Sequence, residues 1–98
     1  MTFDDIKRFE TALAEFTGAP YAIMTDCCTH AIELCLRLEQ PKFTGCPAHT
    51  YLSVPMTFSK LGIKYTMSND HWNDYYYLEN TEIIDAAVYW KKNGYIKY

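Results

Sequence analysis

The first apolar positions fall on a helical stripe. Phe3, Ile6, Phe9, Leu13 and Phe16 recur at three- and four-residue steps, and Gly18 follows as a stop. Thr2 and Asp5 stand in the T-x-x-D order of a capping box, so a helix is predicted to begin beside Thr2. The period then changes. "PYAIMT", residues 20–25, is a short apolar run after a Gly-Ala-Pro turn and reads as a buried strand. Residues 28–38 place Ile32, Cys35, Leu36 and Leu38 on one helical flank, ended by the polar "EQPK". "FTGCP" reads as a strand, because Pro47 forbids a helix running through it. "YLSVPMTFSKLG" reads as a third helix with Pro55 in its first turn and Gly62 as its stop. "IKYTMS" is a predicted strand, "SNDHWND" a polar turn, and "YYYL" and "EIIDAA" two more strands, the last carrying a carboxylate at its end.

Helices alternating with short buried strands define an α/β class, with helices packed on a mixed, mostly parallel sheet. Residues 1–98 form one domain or a piece of a larger one, with no internal repeat and no linker. Ligands in such folds gather at the carboxyl ends of strands. That rule selects the loop from Asp26 to Thr29, the segment from Pro47 to Tyr51, and Asp85.

Composition narrows the function classes. Hydrophobic residues make up 49% and charged residues 21% of the chain, which excludes a disordered segment. The net charge of -3 offers no basic footprint, so no nucleic-acid partner is expected. No run approaches the roughly 20 apolar residues of a membrane helix, so no membrane partner is expected either. "MTFDDIKRFE" is acidic and amphipathic rather than signal-like, and the cytosol is the expected compartment. There Cys27, Cys28, Cys35 and Cys46 are expected as reduced thiols.

Three chemical readings compete at "TDCCTHAIELCL". A helix beginning near Thr29 offers free N–H groups and a positive dipole end to a phosphate, with the Thr29 hydroxyl as a further donor. Alternatively, Asp26 or Thr29 only caps that helix. A metal reading would recruit Cys27, Cys28 and Cys35 with His30, His49 and His71. Adjacent cysteines do not aim two sulfurs easily at one ion, so small, buried, inert thiols at the strand-helix junction and no metal are expected. As nucleophiles, Cys27 and Cys28 would gain thiolate character from the helix end, but the sequence identifies no base. Asp85 either caps the next stretch of chain or pairs with a cation such as a protonated ring nitrogen, the arrangement that makes pyridoxal phosphate an electron sink. Tyr51 either packs in the core or offers a flat face to such a ring.

In order along the chain, these segments resemble one family. "FTGAPYAIMTDCCTHAIELCLRL" resembles the F-G-A-x-Y-A-x-x-x-x-S-G-T-x-A-L-x-L segment of the DegT/DnrJ/EryC1/StrS sugar aminotransferases. "CPAHTYLSVPMTFSKLGIKY" is similar to their V-P-x-x-T-[FWY]-x-[AS]-T segment, and "IIDAA" to the strand end that carries their aspartate. The resemblance spans residues 9–88. It implies part of the large domain of a pyridoxal-phosphate transferase of the aspartate-aminotransferase fold, acting on keto sugars linked to a nucleotide, with an amino donor. It further implies that Cys28, Thr29 and the backbone at His30 form the phosphate turn. Tyr51 would stack on the pyridine ring and Asp85 would pair with its nitrogen.

Departures accompany the resemblance. Cys28 stands where the family has Gly, which puts the tight turn in question. Fewer than twenty residues separate "KYTMS" from "IIDAA", where the family has several dozen. Val88 stands where a Gln or His often follows the aspartate by three positions. The family's Schiff-base lysine lies well beyond the aspartate, and Lys91, Lys92 and Lys97 lack its context. The expectation is therefore an amino-terminal portion without a catalytic lysine, inactive alone. The rival readings are a noncatalytic α/β module and a thiol or metal protein. A sheet cut early leaves an edge unpaired, so self-association is expected, with the segment after His71 the loosest.

Overall fold

The computed structural model describes residues 2–96. Helix α1 (Phe3–Thr17) starts as the pattern predicts. The Thr2 hydroxyl accepts from the Asp5 N–H at 3.2 Å, and the Asp5 carboxylate accepts from the Thr2 N–H at 3.1 Å. Gly18 closes it in the left-handed conformation, φ 82°, which a residue with a side chain rarely adopts. The apolar stripe does not become core, however. Among the buried residues α1 contributes only Ala14, while Phe3, Phe9 and Phe16 stay exposed. Helix α1 is held at its end by the backbone, where the Asn93 and Tyr95 N–H groups donate to the Phe16 and Thr17 carbonyls. Its cap therefore carries a large share of its local stability. Thr2→Ala is expected to cost about 1 kcal/mol and to speed α1 amide exchange about fivefold. Unchanged exchange rates in α1 would contradict that role.

The segment 20–25 is the clearest departure from the sequence reading. It forms no strand, and Tyr21 and Ile23 are exposed. A strand needs a neighbouring edge for its N–H and C=O groups. Here the Met24 N–H donates instead to the Glu10 carboxylate at 2.7 Å.

Helix α2 (Cys28–Glu39), strand β1 (Phe43–Pro47), helix α3 (Ser53–Lys60) and strand β2 (Lys64–Ser68) come next along the chain. Strands β1 and β2 pair in parallel, Phe43 opposite Lys64 through Pro47 opposite Ser68, with α3 as the crossover. Strand β1 is nearly all buried because its other edge is also occupied: the Glu79 N–H donates to Gly45, and the Thr44 hydroxyl donates to the Glu79 carbonyl. The Glu79 carboxylate lies over Gly45, and a Cβ there would stand 2.7 Å from Glu79 Oε2 and push that side chain aside. Two short strands, β3 (Tyr76–Tyr77) and β4 (Ile84–Asp85), pair antiparallel in a separate ribbon. The expected mostly parallel sheet is thus one parallel pair and one antiparallel pair.

The core joins Ile32 and Leu36 of α2, Cys46 of β1, Val54 and Phe58 of α3, Tyr76, Leu78 and Ile83. Cys35 and Leu38, placed with Ile32 and Leu36 by the pattern, are exposed. The buried face of α2 is narrow and centred on Ile32 and Leu36, so Cys35 falls at its edge and Leu38, two positions past Leu36, on the opposite side. The segment after His71, expected to be the loosest, supplies three of the eight core residues.

Candidate functional site

The carboxyl ends of β1 and β4 open on one cleft of about 500 Å³, within the size range of small-ligand sites. Tyr51, Trp72, His49, Thr50, Val88 and Asp85 line it. Tyr51 is 71% exposed, so it is free to offer a face to a ligand and does not pack in the core. Asp85 is only 6% exposed, yet it is one of the residues lining the cleft.

That carboxylate is surrounded by neutral donors. Tyr76 Oη–H donates to Oδ2 at 2.7 Å, the Ala87 N–H to Oδ1 at 3.2 Å, and the Cys28 thiol reaches Oδ1 at 3.9 Å. Burial first, and the Asp85 charge second, push the Cys28 thiol above its usual range, so it stays a donor. Burial also raises Cys46, to about 11, with Glu79 and Asp85 adding to it, and leaves that core thiol inert. No Lys, Arg or His among the described residues forms an ion pair with Asp85. A buried charge without a counter-ion is costly. One facing a cleft can be compensated by a cation that enters it.

Helix α2 begins beside this carboxylate. Its N-cap is Cys27, and no side chain caps the first turn. Neither Asp26 nor Thr29 is the cap. Asp26 accepts a 2.6 Å contact from His30 Nδ1, and this bond first of all holds its carboxyl below the usual range. The Thr29 hydroxyl donates to Ser53 Oγ at 2.9 Å, joining the mouths of α2 and α3. Cys28 does not disturb the turn. Cys27 is extended at φ -159°, and Cys28 is not among the residues with positive φ, so the turn has no position that only Gly could fill.

The helix mouth is therefore two-sided. Cys28 and Thr29 face Asp85 and Ser53, whereas Asp26, Cys27 and His30 lie on the exposed side with their ligand atoms within 4.8 Å of one another. The thiols at this junction are not buried as expected, because the start of α2 lies at the surface. Cys27, Cys28 and Cys35 are exposed on α2 or its cap, and Cys46 is buried in β1.

Residues 1–88 match the profile of the DegT/DnrJ/EryC1/StrS aminotransferase family. The chain belongs to that family. No curated protein and no solved structure matches it. Members of the DegT/DnrJ/EryC1/StrS family are generally dependent on pyridoxal phosphate.

The donor set suits that cofactor. A buried carboxylate with no ion-pair partner among the described residues, an exposed aromatic side chain in the same cleft and an uncapped helix start complement a cationic ring and a phosphate. Of the residues that stand out in the sequence, Tyr51 and Asp85 share the cleft, Cys28 touches Asp85, and Thr29 reaches Ser53 two residues from Tyr51. The His30 side chain turns away to Asp26, which leaves only its backbone for the turn. Tyr76, Thr50 and Ser53 do not stand out in the sequence. Three consecutive tyrosines do not reveal which one faces inward, and only the pairing of Tyr76 with Asp85 selects it. Lys91 and Lys92 do not line the cleft, and Lys97 lies outside the described residues.

Proposed function

We propose that the chain is the amino-terminal, cofactor-holding portion of a pyridoxal-phosphate aminotransferase acting on a nucleotide-linked keto sugar in the cytosol. The observation that carries the reading is Asp85, a buried carboxylate that pairs with no cation among the described residues, at the wall of an aromatic-lined cleft. In this reading Asp85 holds a positive charge on the ring nitrogen, and Tyr51 covers one face of the ring. The first turn of α2, with the hydroxyls of Thr29 and Ser53, receives the phosphate. When bound, the cofactor supplies an electron sink for carbanion chemistry. The chain's own residues bind, orient and hold charge.

The lysine that such a reaction needs for its proton transfers is not supplied by the cleft lining. The chain alone is therefore expected to bind the cofactor reversibly. After incubation with pyridoxal phosphate and borohydride reduction, intact-mass analysis should show an unmodified chain. A stoichiometric adduct mapped to Lys91, Lys92 or Lys97 would sink the view that this portion lacks its lysine. No binding at all would favour the noncatalytic module.

A further inference from the structure

We propose that Tyr76 is a positioning residue for Asp85, its hydroxyl, backed by Thr50, fixing how the carboxylate faces the cleft. The register of the ribbon places Tyr76 directly opposite Asp85, and opposite residues of an antiparallel pair project from the same face. Tyr76 Oη lies 2.7 Å from Asp85 Oδ2 and 2.8 Å from Thr50 Oγ1. A phenol has one proton. With that proton on the carboxylate, the Thr50 hydroxyl must be the donor to Oη, so the chain of bonds runs in one direction, Thr50 to Tyr76 to Asp85.

The ring itself is held. Trp72 meets it edge-on at 4.9 Å between centroids, and the Trp72 indole N–H donates to the His49 carbonyl at 2.9 Å. Three parts of the cleft wall, 48–51, Trp72 and Asp85, thereby meet at this one side chain. Burial keeps the Tyr76 phenol protonated far above neutral pH, so it acts as a donor and not as a base. The other titratable groups near Asp85 are Cys28 from α2 and Cys46 from β1, with His49 and Tyr51 lining the same cleft. None of them supplies a second donor as short as Tyr76.

The proposal rests on the cofactor reading only in naming what Asp85 faces, and its test needs no cofactor. In the full chain labelled with carbon-13 at the aspartate carboxyls, the Asp85 signal, assigned by its loss in Asp85→Asn, is titrated by NMR. Tyr76→Phe keeps the ring against Trp72 and removes the donor to the ionised form. The Asp85 midpoint should rise, because a donor to the ionised form is lost. Thr50→Val should raise it by a smaller amount, and Thr50→Ser should restore the wild-type value.

A folded Tyr76→Phe chain with an unmoved midpoint overturns the proposal, including the case in which only its melting temperature falls. If Tyr76→Phe does not fold, the Thr50 pair decides. A midpoint that rises in Thr50→Val and returns in Thr50→Ser supports the relay, and one that moves in neither overturns it. Failure of pyridoxal phosphate to bind would count against the cofactor reading and leave these midpoints untouched.

Discussion

Phe58→Ala is expected to remove most of the folding stability of the chain at room temperature. Phe58 is 0% exposed and sits among the core residues from α2, β1 and the segment after His71. Removing a buried phenylalanine costs about 3–5 kcal/mol, from lost transfer energy and from the cavity left behind. A chain of this size lies near the lower end of the roughly 5–15 kcal/mol typical of folded domains. The loss therefore consumes most of the margin. Urea unfolding followed by near-ultraviolet circular dichroism should show the wild-type transition collapse to low urea in Phe58→Ala. Phe9→Ala is the control: Phe9 is 50% exposed on α1, and its loss should shift stability by no more than about 0.5 kcal/mol. Comparable losses in the two variants would mean that the apolar stripe of α1 is covered and that the core lies elsewhere.

The contrast between Phe58 and Phe9 shows what the sequence can and cannot reveal. Local signals are legible. The capping box at Thr2, the stop at Gly18 and Pro55 in the first turn of α3 place the helices within a few residues. These signals act over one turn of chain and need no partner. Burial does need a partner. The stripe of α1 and the run at 20–25 look like core in the sequence, but no described element covers them.

The site is legible to the same extent. Asp85 and Tyr51 stand out because a carboxylate ending an apolar strand and an aromatic past Pro47 are locally conspicuous. Tyr76 does not, since its role is created by a cross-strand register that joins positions nine residues apart. The concern that Cys28 would break the α2 turn comes from a Gly at that place in the family. It is misplaced because this turn uses no left-handed backbone.

Asp85→Asn should abolish the preference of the cleft for a cationic ring. The substitution keeps the size of the side chain and an acceptor for the Ala87 N–H. It removes the negative charge, whose hydrogen-bond partners among the described residues are neutral donors. A hydrogen bond to a charged group contributes about 1.5–3 kcal/mol. The charge should therefore account for roughly a tenfold to hundredfold difference in affinity. The most direct measurement compares binding of pyridoxal phosphate with that of its analogue in which the ring nitrogen is replaced by carbon, to the wild-type chain and to Asp85→Asn. The wild type should prefer pyridoxal phosphate by at least about tenfold, and Asp85→Asn should bind both about equally. Equal binding of the two compounds by the wild-type chain, or an undiminished preference in Asp85→Asn, would contradict the pairing of Asp85 with the ring nitrogen.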